Sequence, residues 1–435
     1  MKTKIIILLF LYVYPLFFMG IPLSSRIIFG VLGFAFFILQ KVHSAQELRP
    51  LLALLPIMGW SLLVGCINET YEFFFISYGI SMLLIFFASF FIVNRVSILR
   101  TSRCSIDVIL SAFILVVIIQ TFIAILFYLF PAFQDICYKI FPLTEREMST
   151  AEKTIGFRFV GLGSCFFGAG VIHGFALITM GYFYIADKVK SKTIWILSYL
   201  LILFTGLMFA RTTVIGFGLS LLLIFSWKPF SKKTIKRILV FILCFFAIMV
   251  IAIFLLVKYV DESLLRFAFE FVYNYNETGS FESASTNRLQ EMYGLPTELW
   301  TYIVGDGLYN LKSGGYYMST DVGYMRLLYY GGIPMIIFYF YYQWFLLNNI
   351  IKIGSYKMIV LCKQPLIGTK NIINIGITKH LKRFLYFTFV YLLILNVKGF
   401  TDFSIYYLLL FLVLYNNIKT YKNNPSIRTL RHRQI

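Results

Sequence analysis

Apolar runs of span length recur from one end of this 435-residue chain to the other. Crossing about 30 Å of hydrocarbon takes a helix of about 20 mostly apolar residues. Twelve segments qualify, outright or by division of a longer run: 4–20, 22–40, 50–66, 73–93, 107–130, 162–186, 193–209, 211–227, 238–257, 323–348, 384–399 and 404–418. No polar module interrupts them, so the expectation is one integral membrane domain over 1–435, all-α, with a basic tail at 419–435. Composition leads the same way: 60% of residues are apolar and 13% charged, against about 45–50% and about 25% in soluble domains.

The charge is lopsided. Lys and Arg number 39 against 19 Asp and Glu, a net +20, which in a soluble protein would point to nucleic acid. With the N-terminus inside, the inner segments hold 27 of the basic residues, and the only acids there are Glu47, Asp107 and Asp187. The inner side is then +24 and the outer side −4. This is the positive-inside pattern, so the basic excess reports orientation and attraction to anionic lipid, with no nucleic-acid partner and both termini cytoplasmic. Lys2 and Lys4 precede the first apolar stretch as in a signal peptide. No small-residue cleavage pattern follows, however, and a second run begins at once, so a retained first span is expected. The six cysteines, Cys66, Cys104, Cys137, Cys165, Cys244 and Cys362, stand singly and form neither a metal pattern nor a disulfide framework. Core packing is the reading for them.

Two outer segments exceed a turn, 131–161 and 258–322. The second is the only extramembrane piece large enough for its own structure, and Phe267, Phe269, Trp300 and Tyr302 give it apolar content. Residues 285–293 read as a short helix opened by a Ser or Thr cap. Another should begin at Pro296 and leave at Gly305-Asp306-Gly307. The expectation is a small helical cap on the outer face.

The stretch 193–227 carries a single charge, Arg211, and is too long for one crossing. It must fold into a tight hairpin with the guanidinium at its tip. Two readings stand there: an arginine snorkelling to the interface, or an anion-binding group, because an unpartnered arginine near the membrane is unfavourable by several kcal/mol. Asp321 and Arg326 lie five residues apart at a span entrance, and a local salt bridge is the plain reading. His173, inside a span, reads as a packed or hydrogen-bonded residue. Walker A, GxGxxG, His-Glu-x-x-His and Asp-x-Asp patterns are missing, which disfavours an ATPase, a cytoplasmic nucleotide-sugar enzyme and a metallohydrolase.

Four blocks in order resemble the Wzy-type bacterial O-antigen polymerases of the O-antigen ligase and polymerase superfamily. They are Arg158-Phe-Val-Gly161, Ala210-Arg211-Thr212, Asn287-Arg288 followed by Trp300-x-x-Ile-Val-Gly305-Asp-Gly307, and Asp321-Val-Gly323-Tyr324 running into Gly331-Gly332. Spacing and topology agree over most of 50–415. The ligase branch usually shows a His closely followed by Asn before the tenth span, and this chain has no histidine in that loop. The arginine-to-glycine spacing of some polymerases, with ten residues between, is not matched: eleven residues after Arg158 stands Ala169, and eleven after Arg288 stands Leu299.

The resemblance implies a fold similar to GT-C-like glycan polymerases and ligases, with about 12 transmembrane helices and a helical periplasmic loop. It implies transfer of a growing glycan from undecaprenyl pyrophosphate to the non-reducing end of a new lipid-linked repeat unit, at the periplasmic face of the inner membrane. It requires no cofactor or metal, and a chain-length regulator is an expected partner. Arg211, Arg288, Arg158 and Arg326 would bind pyrophosphate, Asp321 or Glu291 would deprotonate the acceptor, and Tyr324 and Trp300 would contact substrate. Competing readings are an O-antigen ligase, a lipid-linked oligosaccharide flippase, and a channel or general transporter.

Overall fold

The computed structural model describes residues 2–40, 44–99, 105–143, 158–163, 166–226, 262–280, 284–312, 314–354, 358–362, 371–373, 378–422 and 427–430. It is mostly helical. Among the described residues five helical stretches are long and apolar enough to cross a membrane: Ala45–Ile67, Phe74–Ile98, Ile106–Leu129, Phe166–Ile185 and Lys192–Phe209. Thr3–Val13, Ser25–Leu39, Thr213–Phe225 and Ser404–Lys419 are shorter apolar helices. The expected span at 238–257 lies outside the described residues.

The N-terminal segment departs from the expected pair of full spans. Helix α1 (Lys2–Val13) has 12 residues, about 18 Å of rise, and stops short of Pro15. Proline removes an amide donor and pushes the residue before it out of the helical region. The chain turns back through a hairpin, β1 (Phe17–Phe18) and β2 (Ile21–Ser24), with Gly20 at φ +78. Helix α2 (Ser25–Leu39) then begins with Ser24 as its N-cap. Arg26, in the first turn of α2, donates to the carbonyls of Tyr12 and Val13 at 2.9 Å each, serving carbonyls at the end of α1 that the helix itself leaves unpaired.

The chain divides into two units, one comprising Met1–Val13, Leu23–Ala112 and Met292–Ile435, the other Tyr14–Pro22 and Phe113–Glu291. The expected outer segment 258–322 is therefore divided between the units at Glu291. In the first unit, α2 packs on α5 (Phe74–Leu99) through glycine: a Cβ at Gly33 would lie 1.9 Å from the Phe87 carbonyl oxygen. Only the missing side chain allows that approach, the device by which membrane helices pack closely. The same unit holds α3 (Ala45–Leu52), α4 (Leu55–Ile67), α14 (Leu299–Ile303), α15 (Gly323–Gly354), α16 (Lys379–Leu395) and α17 (Ser404–Lys422). It also holds a small antiparallel sheet in which β3 (Met358–Cys362) lies between β4 (Asn371–Ile373) and β5 (Ile427–Leu430).

Helix α15 is broken at Gly331 and Gly332, and Gly332 has φ 66 and ψ −168, a conformation restricted to glycine. Pro334 supplies the cause, since it cannot donate back into the preceding turn. A break frees carbonyls that lipid cannot satisfy, and each is met from the fold. The Tyr329 carbonyl accepts from the Asp306 amide at 2.6 Å, that of Tyr330 from the Gly307 amide at 3.1 Å, and that of Gly331 from Trp60 Nε1 at 2.7 Å. The Gly305-Asp306-Gly307 and Gly331-Gly332 blocks thus dock on one another. A Cβ at Gly305 would stand 2.5 Å from the Gly331 nitrogen.

In the second unit, α8 (Phe166–Ile185) packs against the hairpin of α9 (Lys192–Phe209) and α10 (Thr213–Phe225). Small residues line the seam, and a Cβ at Gly216 would lie 2.2 Å from the Gly174 Cα. Thr213 Oγ1 and Ser220 Oγ donate across it to the Gly170 and Leu177 carbonyls at 3.2 and 2.7 Å. The hairpin turns at residues 210–212, where the lone charge of that stretch predicted it.

Candidate functional site

The hairpin tip presents Arg211, and two neighbouring strips of chain close around it. The extended segment 158–162 runs past the end of α9, where the Phe159 amide donates to the Met208 carbonyl at 3.1 Å. Gln120 Nε2, on α6 (Ile106–Leu129), holds the Leu162 carbonyl at 2.9 Å. That course carries Arg158 towards the tip. From the other direction come α11 (Glu262–Ala268), which packs on α9, and α12 (Glu270–Thr278), with Leu264, Leu265 and Phe269 buried.

The result is a compact cluster. The Arg158 and Arg211 guanidinium carbons lie 4.2 and 5.0 Å from the centre of the same Phe267 ring. Arg211 also forms an ion pair with Glu270, whose side chain is 18% exposed against 11% for the arginine. Both charges are mostly out of water, beyond the regime of a solvent-screened surface pair. Burial, and then the charge of Arg211, lower the pKa of the Arg158 guanidinium from its ordinary value. Among the described residues, two guanidiniums that feel one another and one carboxylate meet here. Such a site suits an anion with several oxygens, because each planar fork offers paired donors.

The other expected arginines have different surroundings. Arg288 is exposed on α13 (Ala284–Glu291), which overlaps the expected helix at 285–293 but holds Ser285 and Thr286 inside it rather than at its cap. Arg326 belongs to the first unit and is buried, 8% exposed, on the first half of α15. Its guanidinium carbon lies 3.9 Å from the Tyr309 ring centre and 3.5 Å from that of Tyr316. Its Nε is buried and has no hydrogen-bond partner among the described residues. The expected salt bridge with Asp321 is not formed. Asp321 is exposed, whereas Arg326 turns into the aromatic pair once the helix begins at Gly323.

The remaining sequence candidates occupy plain positions. Glu291 is exposed at the end of α13 and Trp300 is 52% exposed on α14. Tyr324 donates its hydroxyl to the Leu393 carbonyl at 3.0 Å and packs on Phe340. His173 is fully buried in α8, with Nδ1 2.7 Å from the Ala169 carbonyl oxygen and Nε2 3.3 Å from Thr121 Oγ1. Cys66 is exposed and Cys137 half-buried, both unpaired by disulfide, so core packing does not describe Cys66. Among the described residues no three His, Cys, Asp or Glu side chains are grouped to hold a metal ion.

Three acids have roles that sequence reasoning did not single out. Glu270 pairs with Arg211. Glu72 accepts from the amides of Tyr309 and Asn310 at 2.9 and 3.0 Å. Asp402 accepts from Gln343 Nε2, the Ser404 amide and the Tyr78 hydroxyl at 2.6, 2.7 and 2.9 Å. The last two organise loops. For Glu270 the available signal was its position three residues after Phe267 in a loop otherwise read for its apolar content.

The fold and these sites define a helical, membrane-embedded protein with guanidiniums held out of water beside aromatic rings. Comparison with known proteins finds no matching protein family, no matching curated protein and no matching solved structure.

Proposed function

We propose that the protein is an O-antigen polymerase, a glycosyltransferase that moves the growing glycan from undecaprenyl pyrophosphate onto the non-reducing end of a new lipid-linked repeat unit. The observation that carries this reading is the paired Arg158 and Arg211 over Phe267. In the reaction the acceptor hydroxyl attacks the anomeric carbon of the donor, the bond from that carbon to the pyrophosphate oxygen breaks, and the leaving group departs with the electron pair. Charge develops on the pyrophosphate, and preorganised donors aimed at developing charge are usually the largest contribution to catalysis. The donor is already activated, so neither nucleotide nor ATP enters.

A carboxylate general base would contribute roughly 10²- to 10⁴-fold. Asp321 is the first candidate and Glu291 the second, since both are exposed to an incoming acceptor. Arg288 and Arg326 are further candidates for phosphate contact, and Tyr324 for sugar contact. This reading includes about 12 spans in a GT-C-like arrangement, the bacterial inner membrane, and both termini in the cytoplasm. Its partners are lipid-linked repeat units, anionic lipid and a chain-length regulator.

A deletion strain examined by lipopolysaccharide gel tests the proposal. Core capped by a single repeat is the expected pattern, and bare core would assign the chain to a ligase or a flippase instead. Purified protein incubated with lipid-linked repeats should lengthen them, and should continue to do so in the presence of a chelator.

A further inference from the structure

We infer that α14 is a re-entrant element of the membrane, with its outward face against acyl chains, and is no part of a water-facing cap. This does not rest on the glycan reading.

Two rulers within the first unit set its depth. The helical stretch Ala45–Ile67 has 23 residues, about 34 Å of rise, which matches the hydrocarbon thickness and puts Ile67 near one boundary. Trp60 lies seven residues before that end, about 10 Å beneath it, and its Nε1 holds the Gly331 carbonyl at 2.7 Å. Along α15, Gly331 comes eight residues after Gly323, about 12 Å of rise. Helix α14 packs at this same break: a Cβ at Gly332 would meet the Tyr302 carbonyl oxygen at 2.7 Å and that of Ile303 at 2.8 Å. The chain then climbs back to the end of α4, where Asn68 Nδ2 donates to the Gly305 carbonyl at 3.1 Å and Thr70 Oγ1 to the Gly307 carbonyl at 2.9 Å.

The side-chain pattern of α14 is inverted relative to a helix lying on a protein in water. Leu299 is 74% exposed, Trp300 52% and Ile303 50%, while Thr301 is buried. The Thr301 hydroxyl donates to Asp306 Oδ1 at 2.6 Å. Apolar side chains outward and the polar one inward is what lipid requires, because polar groups at that depth must be paired within the protein. The apolar exposure continues onto α15, at Ile333 and Ile337. Glu298, exposed at the cap position of α14, is the group this placement leaves at the headgroups, with Trp300 next to the interface that tryptophan favours.

The test is site-directed spin labelling in nanodiscs, in the full-length protein with its native cysteines replaced. Labels at Leu299→Cys and Ile303→Cys should collide several-fold more with oxygen than with a water-soluble nickel chelate, like a label at Ile337→Cys. A label at the exposed Lys312→Cys should show the reverse. Should either α14 label behave like the one at 312, or be shielded from both agents as at a protein interface, the inference is overturned. A second measurement needs no cysteine change: the emission lost on Trp300→Phe should be mostly quenched when the nanodisc lipids carry brominated acyl chains. An unquenched component would count against the inference equally.

Discussion

Arg211 and Arg326 are both guanidiniums kept mostly from water, and the two regions hold them by different means. Arg211 has an ionic partner in Glu270 and a second cation beside it. Arg326 has tyrosine faces on two sides and an Nε with no hydrogen bond among the described residues. Stacking on a ring stabilises a cation by about 0.5–2 kcal/mol. Removing one partner of a buried ion pair costs about 3–5 kcal/mol, because the other charge is left uncompensated. The comparison therefore separates a site built around charge from one built around aromatic surface, and places the stronger structural dependence on Glu270.

The largest effect should come from changing the shape of the cation at the first site. Arg211→Lys retains the charge but not the planar fork, and is expected to lower glycan transfer about 100-fold or more. At matched expression this would be read as loss of long chains on a lipopolysaccharide gel. Wild-type chain length in that variant would remove the hairpin tip from the proposed chemistry.

Next in size is Glu270→Gln, which should destabilise the second unit by about 3–5 kcal/mol, measured as a lower midpoint of unfolding in detergent. Combining it with Arg211→Met should recover much of the loss, since an apolar replacement of both partners orphans no charge. No recovery in the double variant would mean that Glu270 acts through contacts other than the pair.

A smaller cost is expected from Gly332→Ala, about 1–3 kcal/mol for the forced backbone conformation, with the approach to Tyr302 adding to it. Thermal unfolding of that variant, compared with Gly59→Ala, where a Cβ meets nothing within 4 Å, isolates the effect of the break. The smallest change should be Arg326→Met, about 1 kcal/mol, the loss of ring stacking alone. If its destabilisation equals that of Glu270→Gln, Arg326 has an ionic partner and the contrast between the two regions fails.

Much of the architecture was legible in local pattern. The lone charge at Arg211 inside a 35-residue stretch with no other charge announced the hairpin turn, and a short helix was expected where α13 forms, though its Ser and Thr lie inside the helix rather than at its cap. The exit at Gly305-Asp306-Gly307 was marked by glycines that adopt φ of +84 and +70. Other signals misled because a distant contact overrode them. Pro296 should have opened a helix, yet α14 starts only at Leu299, and the backbone at its far end, Tyr302 and Ile303, meets the Gly331-Gly332 break. Asp321 and Arg326 are near in sequence, but the helix start at Gly323 separates their directions. The glycine blocks read as family motifs proved to be places where two backbones touch.

By itself the sequence determined that the chain is helical and lives in a membrane, and where its charge is scarce enough to force a turn. These follow from hydropathy and chain stiffness, which act over a few residues and need no knowledge of neighbours. Only the tertiary structure decided that Arg158 joins Arg211, that Glu270 neutralises one of them, and that Arg326 stacks on tyrosines. Side-chain partnerships depend on how closely backbones from remote segments can approach, and missing side chains at Gly216 in one unit and at Gly305 and Gly332 in the other allow such approaches.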